Sequence, residues 1–110
     1  MGVCGSSGSY GLASFSQGGG SIAKGSHSTA TGCSVSAVGT CSHAEGYATA
    51  ALGEYSHAEG RNCIARHDRS FAWSGNWSQY SSNADGSFNI DPVNGISGFY
   101  IGEKSLAEHL

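Results

Sequence analysis

Proline occurs once in 110 residues, and acidic and basic side chains together make up 12%, about half the usual share in a soluble domain. Large apolar side chains are few before Ile64, and alanine supplies much of the hydrophobic fraction. A monomer so poor in Leu, Ile, Val and Phe buries too little surface to offset its chain entropy. Two readings remain: a disordered chain, or small residues packing a narrow core while other subunits supply the rest. Basic residues are not clustered and the net charge is −3, which removes the electrostatic footprint of a nucleic-acid partner. No stretch is apolar enough to span a membrane, so membrane insertion in this segment is not expected. Residues 1–20 lack the basic and apolar regions of a signal peptide; export would need a signal elsewhere, whereas a phage part released by lysis needs none. The four cysteines, Cys4, Cys33, Cys41 and Cys63, have no CxxC spacing, which argues against a zinc knuckle or a thioredoxin-type motif. Their even number permits disulfides, but free, semi-buried thiols acting as small apolar residues are the expectation.

What the chain does have is 18 glycines on a grid. Ser42-His43-Ala44-Glu45-Gly46 returns fourteen residues later as Ser56-His57-Ala58-Glu59-Gly60. Serine recurs at Ser14, Ser28, Ser42, Ser56 and Ser70, and alanine at Ala23, Ala37, Ala51 and Ala65. Glycine recurs at Gly18, Gly32, Gly46 and Gly60, with a second series halfway between at Gly11, Gly25, Gly39 and Gly53. A flexible Gly/Ser linker has no register, so the disordered reading fails. A fixed period of this length is the mark of a solenoid. A coiled coil would need Leu, Ile or Val at the repeated positions, and glycine is a poor helix residue. Strands fit: in Ser-His-Ala-Glu-Gly, alternate residues point to opposite faces. Ser, Ala and Gly line a tight interior, while His and Glu face out. Each coil is expected to hold two short strands and two tight turns. Residues 1–69 form the roll, with full coils over 14–69, and successive coils stack as parallel strands.

The grid then breaks. His67 and Ser74 stand where glycines are due, charge gathers at Arg61, Arg66, His67, Asp68 and Arg69, and Phe71, Trp73, Trp77 and Tyr80 follow. Residues 70–102 therefore read as an aromatic cap and a β-hairpin neck. Asn83-Ala84-Asp85-Gly86 and Asp91-Pro92-Val93-Asn94-Gly95 are turn signals. Phe88-Asn89-Ile90 and 96–101 read as short strands of a hairpin. Residues 103–110, with Leu106 and Leu110 one turn apart, read as the start of a helix or coiled coil.

The Ser-x-Ala-x-Gly grid, with Ala-x-Gly seven residues on, resembles the head repeats of trimeric autotransporter adhesins, the YadA-like family. The Ser-His-Ala-Glu-Gly form is similar to repeats of phage tail-fibre and neck-appendage proteins and of gut bacterial relatives. The resemblance covers roughly residues 9–75. It implies an all-β, left-handed parallel β-roll in a homotrimer, without enzymatic activity or cofactors, at a cell surface or virion tail. The partners implied are the chain itself and a cell-surface receptor or glycan. Gly86-Ser87-Phe88-Asn89-Ile90 to Gly98-Phe99-Tyr100-Ile101-Gly102 resembles a fibre segment leading into a coiled-coil stalk. Family heads carry Val and Ile at the two variable strand positions, where they hold the trimer. Here those positions hold Phe15/Gln17, Thr29/Thr31, His43/Glu45 and His57/Glu59. The second strand is more apolar, with Ile22, Val38, Leu52 and Ile64. Either that strand cements the trimer, or the His and Glu rows pair across subunits.

His43 and His57 are expected to stack with Glu45 and Glu59 beside them. Three subunits would bring three imidazoles into a layer, which is how a metal stack would use His43 and His57. A polar ladder of His–Glu hydrogen bonds is the reading preferred. Trp73, Trp77 and Tyr80 are either a glycan platform or, by preference, a cap on the core. Asp85, Asp91, Glu103 and Ser105 complete no nucleophile-and-base constellation, and Gly18-Gly19-Gly20 lacks the Lys-Ser/Thr of a phosphate loop. Two alternatives stand beside the attachment module. One is an ice-binding solenoid, weakened because Thr29, Thr31, Thr40 and Thr49 form no regular ladder. The other is the stalk of a self-cleaving tail-fibre protein whose protease or chaperone domain lies downstream.

Overall fold

The structure is a computed structural model and describes residues 7–91, 100–101 and 104–105. Its strands are short: β1 (Gly8–Ser9), β2 (Phe15–Gln17), β3 (Ile22–Ala23), β4 (Thr29–Cys33), β5 (Ser36–Ala37), β6 (His43–Tyr47) and β7 (Ala50–Ala51). Beyond these come β8 (His57–Arg61), β9 (Cys63–Ala65), β10 (Phe71–Ser74), β11 (Tyr80–Ser81), β12 (Phe88–Ile90), β13 (Tyr100–Ile101) and β14 (Lys104–Ser105). No helix occurs among the described residues. The odd strands β1 to β11 form one six-stranded sheet and the even strands β2 to β12 another. Every pairing within these two sheets is parallel and joins a strand to the one two elements later. The chain is therefore a parallel β-solenoid of about six coils, each giving one strand to each sheet.

The register follows the fourteen-residue grid. His43 faces His57, Ala44 faces Ala58 and Gly46 faces Gly60. Inward positions hold residues small enough for the two sheets to close on each other. Ala23, Ala30, Ala37, Ala44, Ala51, Ala58, Ala65 and Ala72 are fully buried, joined by Val35 and Cys63. The serine column is buried as well. A buried hydroxyl needs a partner, and all of these but Ser42 find one in their own turn: Ser28, Ser56 and Ser70 Oγ donate to the carbonyls of Gly25, Gly53 and His67, each at 2.6 Å.

The glycines answer to the neighbouring coil. Gly46 sits at φ +110°, and a Cβ there would collide with the carbonyl oxygen of Gly60. Gly39 has no positive φ, yet a Cβ on it would strike the Gly53 carbonyl in the same way. The left-handed turn positions go instead to residues with side chains, including His27, Cys41, Tyr55 and Arg69, with φ between 56° and 60°.

Stacking continues beyond residue 69. Cys63 pairs with Tyr80 whereas Gly60 pairs with Ser74, so three extra residues enter between Ser74 and Tyr80. The bulge they make spans Gly75 to Gln79. His67 and Ser74, which stand at glycine positions of the grid, face this part of the roll. Their side chains bond to it: His67 Nδ1 lies 2.7 Å from Ser82 Oγ, and Ser74 Oγ donates to Asp91 Oδ2 at 2.9 Å.

At the C-terminal end, Phe88–Ile90 pairs parallel with Phe71–Trp73 as the last strand of the even sheet; of the hairpin partner expected over 96–101, residues 96–99 lie outside the described ones. The expected helix start over 103–110 is not found at Lys104–Ser105, which is extended and pairs antiparallel with Tyr100–Ile101. The other residues of that segment lie outside the described ones, as do 92–99. Among the thiols, Cys33 is disulfide-bonded, while Cys41 and Cys63 are free.

Candidate functional site

The outer face of the even sheet carries two side-chain columns. One runs Phe15, Thr29, His43, His57, Phe71, Phe88; the other runs Gln17, Thr31, Glu45, Glu59, Trp73, Ile90. Parallel strands in register put equivalent residues about 4.8 Å apart, the stacking distance of planar rings. The His43 and His57 rings stack with centroids 4.6 Å apart and planes inclined by 21°. Phe71 lies tilted against His57 at 5.2 Å, and Phe88 stacks on Phe71 at 4.5 Å and 5°. Four successive coils thus present one continuous ladder of rings.

Glu45 lies between the two imidazoles. Its carboxylate is 3.5 Å from His43 Nε2 and 4.0 Å from His57 Nε2, while Glu59 is 3.6 Å from His57 Nε2. At these separations the groups attract electrostatically, and a His43–Glu45 hydrogen bond of the expected His–Glu ladder helps to lower the Glu45 pKa. His57 Nε2 is shielded from solvent and has no hydrogen-bond partner. Glu59 hydrogen-bonds Glu45, which raises the Glu59 pKa, with burial adding to the rise. The same bond lowers that of Glu45, helped by His43 and His57 and opposed by burial. Burial, then the neighbouring His43, pushes His57 below the usual imidazole range, and Glu45 offsets part of this. The two carboxyls are thus pushed in opposite directions, Glu59 up and Glu45 down, beside an imidazole whose pKa is pushed down. These contacts lie within one chain, between adjacent coils.

The three aromatics singled out from sequence are separated. Trp73 extends the glutamate column on β10 and is half-buried. Tyr80, on β11, packs on the alanine core, and burial raises its phenol pKa. Trp77 rides on the bulge and is 74% exposed, with the Arg61 guanidinium 3.8 Å from its ring centroid. Arg61 anchors the bulge by donating from Nε to the Asn76 carbonyl at 3.2 Å and from Nη2 to the Gly75 carbonyl. Trp73 and Tyr80 thus belong to the end of the roll, and Trp77 is the exposed one. The repeat glycines and alanines named from sequence all serve the coil: alanines inward, glycines where the next backbone passes.

The acidic candidates for chemistry have structural duties. Asp85 Oδ1 accepts from the Asp68 amide at 3.1 Å. Asp91 Oδ2 accepts from Ser74 Oγ and Asn76 Nδ2, both at 2.9 Å. Glu103 lies outside the described residues, and Ser105 is part of β14. Thr29 and Thr31 occupy one strand only, between the Phe15/Gln17 and His43/Glu45 strands, and Thr49 is buried. Sequence reasoning placed Glu45 beside His43 and His57 but not between them, and it did not identify Arg61 as the anchor of a bulge. Comparison with family models, characterised proteins and solved structures yields no match.

Proposed function

We propose that this chain is a structural, non-enzymatic attachment module of the YadA-like repeat type. In this reading three left-handed rolls associate as a homotrimer that continues into a helical stalk. It sits at a bacterial cell surface or on a virion tail, and presents a rigid outer surface to a receptor or glycan. The observation that carries the reading is the uncovered apolar surface of an otherwise closed roll. Phe15 and Phe88 are 53% and 65% exposed on the even sheet, and Val38 and Leu52 form an exposed apolar pair just past the ends of β5 and β7. A core made largely of alanine buries little, so covering these strips in a trimer supplies the missing apolar burial. Three copies on one axis also let weak single sites act together. Trp77, braced by Arg61, is the aromatic best placed to stack on a sugar ring.

Light scattering on the purified chain tests the assembly. The expected mass is three times the 11.2 kDa of one chain; a folded monomer overturns it. Binding of the labelled chain to a glycan array tests the attachment role, with Trp77→Ala expected to abolish the signal while the mass stays unchanged. An array without any Trp77-dependent signal counts against the sugar-binding surface.

A further inference from the structure

We propose that His43, Glu45 and His57 form a binding site for one divalent transition-metal ion, of the class of zinc, cobalt or nickel. One ligand atom from each of the three residues lies within 4.8 Å of the other two. Donors around a tetrahedral ion, each about 2.0–2.2 Å from it, lie about 3.4 Å from one another. Glu45 Oε2 lies 3.5 Å from His43 Nε2 and Glu45 Oε1 lies 4.0 Å from His57 Nε2, so binding one ion requires the carboxylate and the stacked imidazoles to turn until one donor of each residue converges. Two imidazoles and a carboxylate select a borderline ion over calcium or magnesium, which prefer all-oxygen shells.

The backbone holds the donors in place. His43 and Glu45 lie two residues apart on one strand, and His57 faces His43 across the parallel register. The solvent-shielded, unpartnered Nε2 of His57 lies on the side where Glu45 sits. Neighbouring coils cannot extend the site, because Thr29 and Thr31 precede it and Phe71 and Trp73 follow it. The stoichiometry is therefore one ion per chain, with Glu59, 3.6 Å from His57 Nε2, flanking the ligand set. A bound ion would tie β6 to β8 and lock two coils together. The site stands on contacts within a single chain and does not depend on the attachment reading.

The test is calorimetric titration of the chelator-treated full chain with zinc chloride, in a Cys41→Ser background that removes the exposed thiol. Saturation at one zinc per chain is expected, with a rise in melting temperature. Glu45→Gln and His57→Gln should each weaken zinc binding by about tenfold or more, since even groups that only support a metal ligand cost 10–100-fold when lost. His27→Gln should leave it unchanged. Glu45→Gln preserves shape on an outward side chain, so it stays informative if the histidine variant fails to fold. No saturable binding up to about 1 mM zinc would overturn the site. So would affinity indifferent to both substitutions, or one zinc per three chains.

Discussion

Serine 42 differs from its equivalents in the other coils. Ser28, Ser56 and Ser70 each donate to the carbonyl three residues back, whereas the buried Ser42 hydroxyl has no partner. Removing a satisfied hydroxyl costs about 1 kcal/mol, while removing an unsatisfied buried one is neutral or favourable. Ser56→Ala should lower the urea midpoint and Ser42→Ala should leave it unchanged or raise it; equal losses would contradict the difference. Glycine gives a second contrast. Gly46→Val puts side-chain atoms into the Gly60 carbonyl at φ +110° and should cost more than about 3 kcal/mol. Gly86 has a positive φ but open space around it, so Gly86→Ala should cost only about 1 kcal/mol. Urea melts of the two variants, compared with the parent, check the ordering. The thiols form a third pair. Burial pushes the Cys63 thiol up to about 12, whereas Cys41 is exposed. A maleimide at neutral pH should label Cys41 in the native protein and spare Cys63 until urea is added.

At the level of the element, the even sheet places like groups on top of one another. Stacked rings gain from this, and stacked carboxyls lose once both are ionised. Glu59 has a folded-state pKa raised above the ordinary 4.5 by its bond to Glu45. Its contribution to stability is therefore fully present below 4.5 and is lost as pH rises through the folded value. Glutamine imitates the protonated acid, donating to Glu45 at every pH. With metal chelated, Glu59→Gln should match the parent near pH 4 and exceed it near pH 8, by about 0.5 kcal/mol for a partly solvated cross-strand pair. Thermal melts at the two pH values measure this; a variant less stable than the parent at pH 8 would overturn it. His57 has the opposite sign. Its pKa is depressed, so its contribution is complete above 6.5 and falls away as pH drops toward the folded value.

Across the whole molecule, the two sheets close on a core of alanine and serine and leave apolar strips outside. Val38 and Leu52 occupy equivalent positions just past β5 and β7, at the edge of the odd sheet, with Lys24 and Arg66 at the same position in the flanking coils. If this strip joins subunits, Leu52→Lys should reduce the mass seen by light scattering to that of one chain while leaving the β signal of the roll. An unchanged assembly would shift the interface to the even sheet. The solenoid itself was legible because each coil repeats the same local demands: Ala44 and Ala58 inward, Ser28 and Ser56 bonded in the turn, Gly39 and Gly46 under the next backbone. The last coils were harder to read. The parallel pairing of Phe88–Ile90 with β10 was hidden because that strand lies seventeen residues back, with the Gly75–Gln79 bulge obscuring the period.

The coil length, the inward residues and the need for glycine were all contained in the sequence, since each depends on a constraint renewed every fourteen residues. What the outward residues do was decided by tertiary structure alone. The period puts His43 over His57, but it does not tell which way Glu45 turns. Stacking in register sets that carboxylate between two imidazoles and within reach of Glu59. Outward side chains are not confined by the core, so their positions depend on neighbours contributed by other coils.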